Sequence, residues 1–258
     1  MLSILDLFTR DTPAWSADAL IAKLGCSRPT GYRYVRELCA AGLLVRADRR
    51  YRLGPRIIEL DYQIRQGDPL ASAGAQVMQE LGERTGWSST LATMFADRVV
   101  TLHLEQRPGG LDVSYGRGRP LPLFRGAPSK LLLAYLPRSR QTRLYEARRL
   151  EAATLGKDLR AFLATLQAIR RAGFASSEGE LDPGNAGIAV PVHDAAGKVV
   201  ASLCLVIPRA RLEFVNRATL IALLDDAAER IARLAADVTH DVDDLATAKA
   251  GERPRLAR

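Results

Sequence analysis

The chain has 258 residues, 47% of them hydrophobic, and a formal net charge of +8 at pH 7. This length predicts two domains, each with its own hydrophobic core, and the composition excludes wholesale disorder. No apolar run approaches the roughly 20 residues that span a bilayer, and the N-terminus lacks the pattern of a secretory signal, so no membrane partner is expected. The three cysteines show no metal-ligand spacing. They indicate a reducing cytoplasm, and neither a metal nor another cofactor is expected.

The first domain, residues 1–54, carries the pattern of two helices joined by a tight turn. A short supporting helix over 2–8 comes first, and the helix after it stops at Gly25, a residue suited to a left-handed cap. Ser27 can cap the next helix, and Pro29 fits the first turn of that helix, where a missing N–H costs little. The spacing therefore predicts a helix-turn-helix.

The second helix of this motif has two unlike faces. At 100° per residue, Val35, Leu38 and Gly42 fall on one line, which predicts the buried face. Arg33 and Arg36 lie on the opposite side. A short amphipathic helix with arginines facing away from the core is what the major groove of DNA requires.

A β-hairpin is predicted directly after these helices. The runs LLVR and RYRL flank a turn at 47–49, with Tyr51 and Leu53 expected to point inward and Arg50 and Arg52 outward. The first domain is therefore predicted to be a winged helix-turn-helix.

Positive charge is concentrated in this motif. Between Ser27 and Arg56 there are eight arginines and two acidic residues, a net charge of +6 out of +8 for the whole chain. The alternative is a solvated basic face on an ordinary helical domain, but the charge coincides with a DNA-reading motif. Arginines of the helix are expected at base edges or phosphates and those of the wing at phosphates. The residues predicted to contact DNA are Arg28, Thr30, Tyr32, Arg33, Arg36, Arg46, Arg49, Arg50 and Arg52.

Residues 55–68 are predicted to form a linker helix between the two domains. Ile57, Leu60 and Ile64 make a narrow apolar stripe along it. This stripe packs either on its own domain or against a second copy of the chain, and the sequence leaves both possibilities open.

The second domain, residues 69–238, alternates between strand and helix patterns and contains no P-loop, GxGxxG or GxSxG motif. It is therefore predicted to be an α+β domain with a ligand pocket. Strands are predicted over 88–95, 99–105, 111–115, 174–177, 188–192 and 199–206. Helices are predicted over 69–84, 129–135, 138–150, 157–172 and 212–236, and residues 239–258 are predicted to be a disordered tail.

One helix start in this domain has the features of an anion site. Pro128 in the first turn leaves the amides around Ala127 near the helix start, and Gly126 lets a ligand approach the backbone closely. Such a terminus can hold a carboxylate, although many helix starts bind nothing. His103 alternates with apolar residues, which favours a strand residue over a ligand.

Four phrases in the same order resemble the IclR (isocitrate lyase regulator) family of bacterial transcription factors. They are LGCSRPTGYRYVRELCAAGLL, YRLGPRIIEL, LPLFRGAPSKLLLAYLP and GFASSEGELDPGNAGIAVPVHDAAGKVVASL, and the resemblance covers about residues 1–238. It implies a cytoplasmic regulator that binds double-stranded DNA at a pseudo-palindromic operator as a homodimer or homotetramer. It also implies that the C-terminal domain is GAF-like and binds a small organic effector.

The chain departs from the family pattern in the implied pocket. Phe124 stands where the family usually has His, Gly126 where it has Thr, Gly187 where it often has Cys, and Cys204 and Val206 where it often has Ser. These changes remove hydrogen-bonding groups, so we expect a largely apolar or aromatic effector, with any carboxylate on the helix start, or else a pocket that has lost its ligand. The effector-binding residues that the resemblance implies are Phe124, Gly126, Ala127, Ser177, Glu180, Gly187, Cys204 and Val206.

Three functions follow from these observations. The leading hypothesis is a DNA-binding regulator whose operator binding responds to an effector, and the first alternative is a constitutive DNA binder whose C-terminal domain only oligomerises. The distant alternative is a thiol-dependent enzyme with Cys204 as nucleophile and His193 as base. Because Cys204 lies in an apolar strand pattern without a cationic neighbour, we expect no enzyme and assign no catalytic residue.

Overall fold

The computed structural model describes residues 1–108 and 113–251. Within it the chain divides into two compact units, with the boundary between Asp68 and Pro69. No helix in the described parts of the chain is long and apolar enough to cross a membrane.

The N-terminal unit is a helical domain with a two-stranded wing. Its core contains Ile4, Leu20, Val35, Leu38 and Leu44, so the predicted inner face of the second motif helix is the buried one. The N-terminal helix is a 3-10 helix, since six residues are too few to nucleate a stable α-helix. In chain order the elements are the 3-10 helix Leu2–Leu7, α1 Ala17–Leu24, α2 Arg28–Ala40, β1 Leu44–Ala47, β2 Arg50–Leu53 and α3 Arg56–Gly67.

The two motif helices cross at close range. Gly25 ends α1 in the left-handed conformation, with φ of 63°. A Cβ atom added at Gly31 in α2 would lie 2.3 Å from Cγ1 of Ile21 in α1. Gly31 therefore sets the distance at which α2 packs on α1.

The wing pairs β1 with β2 in antiparallel register, and the backbone of Trp15 adds a bridge to Tyr51. Leu53 was expected to point inward, but it is 43% exposed although Leu44, opposite it, is buried. A two-stranded ribbon twists strongly, so its last residue turns away from the helices.

The C-terminal unit is built on one six-stranded sheet in the order β5-β4-β3-β8-β7-β6, with every neighbouring pair antiparallel. Its strands are β3 Ser88–Phe95, β4 Arg98–Glu105, β5 Pro120–Leu121, β6 Ala175–Glu178, β7 Asn185–His193 and β8 Val199–Pro208. Its helices are α4 Pro69–Thr85, α5 Ala127–Ala134, α6 Arg138–Ala147, α7 Arg149–Ala152, α8 Leu159–Ala172 and α9 Arg217–Gly251, preceded by the 3-10 helix Arg209–Phe214.

Helices cover both faces of this sheet. Leu203 and Leu205 of β8 pack with α4 and α9 on one face. Cys204, between them, faces the other way and packs with Ala127 and Leu131 of α5. The alternation along β8 thus separates a purely apolar face from the face that holds the predicted pocket.

Three segments differ from the predictions. Residues 111–112 of a predicted strand lie outside the described residues, and 113–115 are not a strand. The last helix does not end before 239 but continues to Gly251, because no glycine or proline interrupts 239–250, and residues 252–258 are outside the described range. The two-residue β5 has too few residues for an alternation pattern.

Candidate nucleic-acid interface and effector cavity

The predicted DNA-contacting arginines are all exposed, and α2 and the wing bring several of them to one groove. The walls of this groove include Arg33 and Arg36 from α2 and Arg46 and Tyr51 from the wing. The arginine surface consists of Arg28, Arg33, Arg36, Arg46, Arg49, Arg50 and Arg52.

Most of the arginine surface is free of strong internal contacts. Arg33 lies 3.8 Å from Glu37, and Arg28 lies 4.0 Å from Asp18. Arg46 donates from Nε to the carbonyl oxygen of Asp48 in the wing turn, at 3.0 Å. The remaining members have no acidic side chain within 4.0 Å in the described part of the chain; they are Arg36, Arg49, Arg50 and Arg52.

The two uncharged residues predicted at this interface make contacts near the start of α2. The Tyr32 hydroxyl donates to Asp18 at 3.2 Å, and this acidic partner raises the pKa of Tyr32. The Thr30 hydroxyl accepts a hydrogen bond from Ser27 at 2.9 Å. The Tyr32 contact therefore joins α2 to α1, whereas the Thr30 contact lies within the start of α2.

The start of α5 is occupied by a carboxylate of the chain itself. The Gly126 amide donates to Oε2 of Glu180 at 2.8 Å, and Lys130 Nζ lies 2.5 Å from Oε1 of the same side chain. The next amide, of Ala127, donates to the Ser177 hydroxyl at 3.0 Å. Glu180 and Ser177, both predicted as effector-binding residues, thus use the amides expected to hold an effector carboxylate.

A cavity of about 40 Å³ lies beside this helix start. Five of the eight predicted effector residues line it, namely Ser177, Glu180, Gly187, Cys204 and Val206. Pro128 of the predicted helix start also lines it, and the lining residues that the sequence did not single out are Thr90, Val113, Tyr115, Leu121, Leu181, Asp182, Asn185 and Ala186. Of these, Leu181 and Asp182 lie in the loop between β6 and β7, and the turn-forming residues Asp182, Pro183 and Gly184 of that loop are the one sequence signal for them.

The prediction that Phe124 binds the effector is wrong. Its side chain is buried and packs edge-on against Phe162, with ring centroids 6.0 Å apart, and it is not part of the cavity lining. An aromatic ring that replaces a histidine there gains more from burial in the core than from contact with a small cavity.

Cys204 is not an activated nucleophile. Burial raises the pKa of its thiol to about 12. In the register of β7 and β8, Cys204 is opposite Ala189, four residues before His193, which is about 13 Å along a strand. The two groups of the enzyme hypothesis are therefore too far apart to exchange a proton directly.

Two family models match most of the chain. Residues 1–48 match the IclR helix-turn-helix domain, and residues 64–233 match the C-terminal domain of bacterial transcriptional regulators of the IclR type. The chain belongs to the IclR family of transcriptional regulators. This confirms the family resemblance, the α+β fold class with an N-terminal winged helix-turn-helix, and DNA-binding regulation as the function of this IclR-family regulator.

Known relatives agree with this assignment. The HTH-type transcriptional regulator KdgR of Dickeya chrysanthemi is 28% identical over 210 residues, which are 80% of this chain and 68% of KdgR. A solved structure of a putative IclR regulator from Silicibacter sp. TM1040 superposes with a TM-score of 0.75 at 24% identity, covering 91% of this chain and 94% of that one. An IclR homologue from Microbacterium hydrocarbonoxydans, solved with 4-hydroxybenzoate, gives a TM-score of 0.68 at 23% identity, covering 92% and 97%.

Proposed function

We propose that this IclR-family regulator binds a pseudo-palindromic operator through the arginine surface, as a homodimer or homotetramer in the cytoplasm. A small organic effector in the cavity beside α5 modulates this binding. The observation that carries the proposal is the groove between α2 and the wing, where Arg33, Arg36 and Arg46 converge. Arginines on a helix and a wing can contact base edges and phosphates of one DNA segment together.

The roles within the arginine surface follow from position. Arg33 and Arg36 project from the outer face of α2 and are assigned to the major groove. Arg49, Arg50 and Arg52, on the exposed wing, are assigned to phosphates. Groups without an internal partner lose little when they exchange water for a phosphate, and the released counterions favour binding.

The linker helix supports self-association. None of the residues of α3 is buried: Ile64 of the predicted stripe is 54% exposed, and Ile58 and Tyr62, outside that stripe, are 74% and 64% exposed. Exposed large apolar side chains on one helix favour the second of the two possibilities that the sequence left open, contact with another copy of the chain. A two-fold assembly would present two DNA-reading heads to the two halves of a palindrome.

The cavity supports an effector role, although it is small as it stands. A volume of about 40 Å³ holds roughly three water molecules, so an aromatic effector would bind only a wider conformation of the surrounding loops. Preferential binding to that wider form would shift the population of the regulator toward it. An IclR homologue of similar fold has been solved in complex with 4-hydroxybenzoate, which supports an aromatic effector for this chain.

The same small volume favours one alternative function. If the cavity never widens, the C-terminal unit serves only for oligomerisation and operator binding is constitutive. A thermal-shift screen of aromatic and aliphatic compounds separates the two: ligands that raise Tm and change operator affinity support the effector role, and no response to any of them supports constitutive binding.

The DNA-binding part is tested with duplex fragments taken from either side of the gene and with a scrambled fragment. Arg33→Ala is expected to reduce the preference for the specific fragment by about 1–3 kcal/mol, because its side chain is assigned to base edges. Arg171→Ala, an exposed arginine of α8, is the matched control and should bind like the wild type. Equal affinity of wild type and Arg33→Ala for every fragment would contradict the assignment.

A further inference from the structure

We infer that Glu180 is a built-in anion that fills the carboxylate-binding start of α5, so that the cavity selects uncharged, hydrogen-bonding molecules over carboxylates. One Glu180 oxygen accepts from the Gly126 amide and the other contacts Lys130. These are the two kinds of group, an N-terminal amide and a buried cation, that an effector carboxylate would otherwise use.

Glu180 is held in place from several sides. The residue Lys130 is only 8% exposed, so a departing Glu180 would leave a nearly buried ammonium group without its counter-charge. The backbone carbonyl of Glu180 accepts a hydrogen bond from Arg125, which fixes the loop as well as the side chain. The positive φ of 84° at Gly126 turns its N–H toward the Glu180 carboxylate.

The second donor of the helix start is also in use. The Ala127 amide donates to the Ser177 hydroxyl, 50 residues later in the chain. An incoming carboxylate would therefore have to displace both Glu180 and Ser177 before it could reach the two amides. Each displacement would leave a polar group to be paired again inside the protein.

Among the described residues, those that line the cavity include no cation to compensate for this cost. Among the described residues that line it, the charged side chains are Glu180 and Asp182, and both are acidic. Asp182 already accepts from the Ser114 amide at 3.1 Å. A bound carboxylate would lie beside Glu180 and Asp182, which already use Lys130 and the Ser114 amide, and would find no further cation among the described lining residues. An amide, an alcohol or a phenol would meet hydrogen-bonding groups of Tyr115 and Thr90.

The contacts alone support the claim that Glu180 occupies the start of α5. The claim that the cavity prefers uncharged effectors rests on the proposed function of the cavity. Chemical rescue tests the first claim separately from the second. Glu180→Ala removes the carboxylate and leaves a space close to the size of acetate, beside the free Gly126 amide and Lys130. Glu180→Gln keeps the shape of the side chain and serves as the control.

Melting temperatures are measured in potassium acetate and in potassium chloride of equal ionic strength. Acetate is expected to raise the Tm of Glu180→Ala by about 4 °C over chloride, because it binds only the folded form of that variant. The wild type and Glu180→Gln should show only the small general difference between the two salts, which is subtracted from the rise of Glu180→Ala. If Glu180→Ala is insoluble, the yield of refolding in acetate against chloride replaces Tm as the readout.

An equal Tm or equal refolding yield of Glu180→Ala in the two salts would overturn the occupation of the helix start. The selection is tested on the wild type with 4-hydroxybenzamide and 4-hydroxybenzoate, which share a shape and differ in charge. The amide is expected to bind at least about tenfold more tightly, and tighter binding of the benzoate would overturn the selection. Rescue by acetate without binding of either compound would uphold the role of Glu180 and count against the effector role of the cavity.

Discussion

The arginine surface and the start of α5 both concentrate charge, and they differ in where the counter-charge comes from. Arg36, Arg49 and Arg50 are exposed, and within the described chain no acidic side chain lies close to them. Lys130 is nearly buried and contacts Glu180 at 2.5 Å. The exposed charge is available to an anion outside the chain, which we propose is DNA, whereas the charge paired inside belongs to a site that the chain itself has filled.

The variant with the largest expected effect on stability removes Lys130, one member of the internal ion pair with Glu180. Lys130→Met should lower the free energy of unfolding of the C-terminal unit by about 2–3 kcal/mol, since Glu180, whose side chain is 30% exposed, would remain without its counter-charge. Arg50→Met, the matched change on the arginine surface, should alter stability by less than about 0.5 kcal/mol. Urea denaturation followed by circular dichroism measures both. If Lys130→Met lowered the free energy of unfolding as little as Arg50→Met, the distinction between paired internal charge and unpaired surface charge would be contradicted.

The next variant disturbs the packing of the helix-turn-helix without changing an arginine. Gly31→Ala places a methyl group 2.3 Å from Ile21, so α1 and α2 must separate, at a cost of about 1–3 kcal/mol. The melting temperature of the N-terminal unit and the affinity for duplex DNA should fall together. Adding Ile21→Ala makes room for the methyl group and should restore part of both. DNA binding that survives Gly31→Ala unchanged would show that the placement of α2 does not matter.

A smaller effect is expected when one arginine of the wing is removed. Arg50→Ala should weaken binding to every duplex and reduce the slope of log affinity against log salt by about 0.9, the contribution of one phosphate contact. Stability should stay the same, because Arg50 has no acidic partner among the described residues. Arg171→Ala should leave the slope unchanged. Equal slopes for both variants would exclude Arg50 from the interface.

Much of the fold could be predicted from the sequence because the signals are local. The buried face of α2 follows from the spacing of Val35 and Leu38, and the hairpin β3–β4 follows from a period of two. The occupant of the α5 start could not be predicted in the same way. Gly126 and Glu180 are 54 residues apart, and only the folded chain brings this amide and this carboxylate together.

Phe124 shows a second limit of prediction. Comparison with the family assigned it to the pocket, yet its ring packs against Phe162 in the core. Periodicity around a short helix start does not tell which side of the chain faces a cavity and which faces the core.

The smallest expected effect concerns Cys204, a buried group that the chain keeps neutral. With its pKa raised to about 12, the folded protein binds the thiol proton more tightly than the unfolded chain does. This contribution to stability is complete below about pH 9 and is lost as the pH rises toward 12. Iodoacetamide at about pH 8 should therefore label Cys204 only after unfolding, as read by mass spectrometry, while half-exposed Cys26 reacts in the folded state. Rapid labelling of Cys204 in the native protein would contradict its burial.

The most direct test of the central claim is the affinity of the wild-type protein for labelled duplex DNA across a salt series, measured by fluorescence anisotropy. If the arginine surface binds DNA, affinity is high at about 20 mM salt and falls linearly on a log–log plot, with a slope of several units because several phosphates are contacted. Absence of measurable binding at the lowest salt concentration, or an affinity that does not change with salt, would contradict the account.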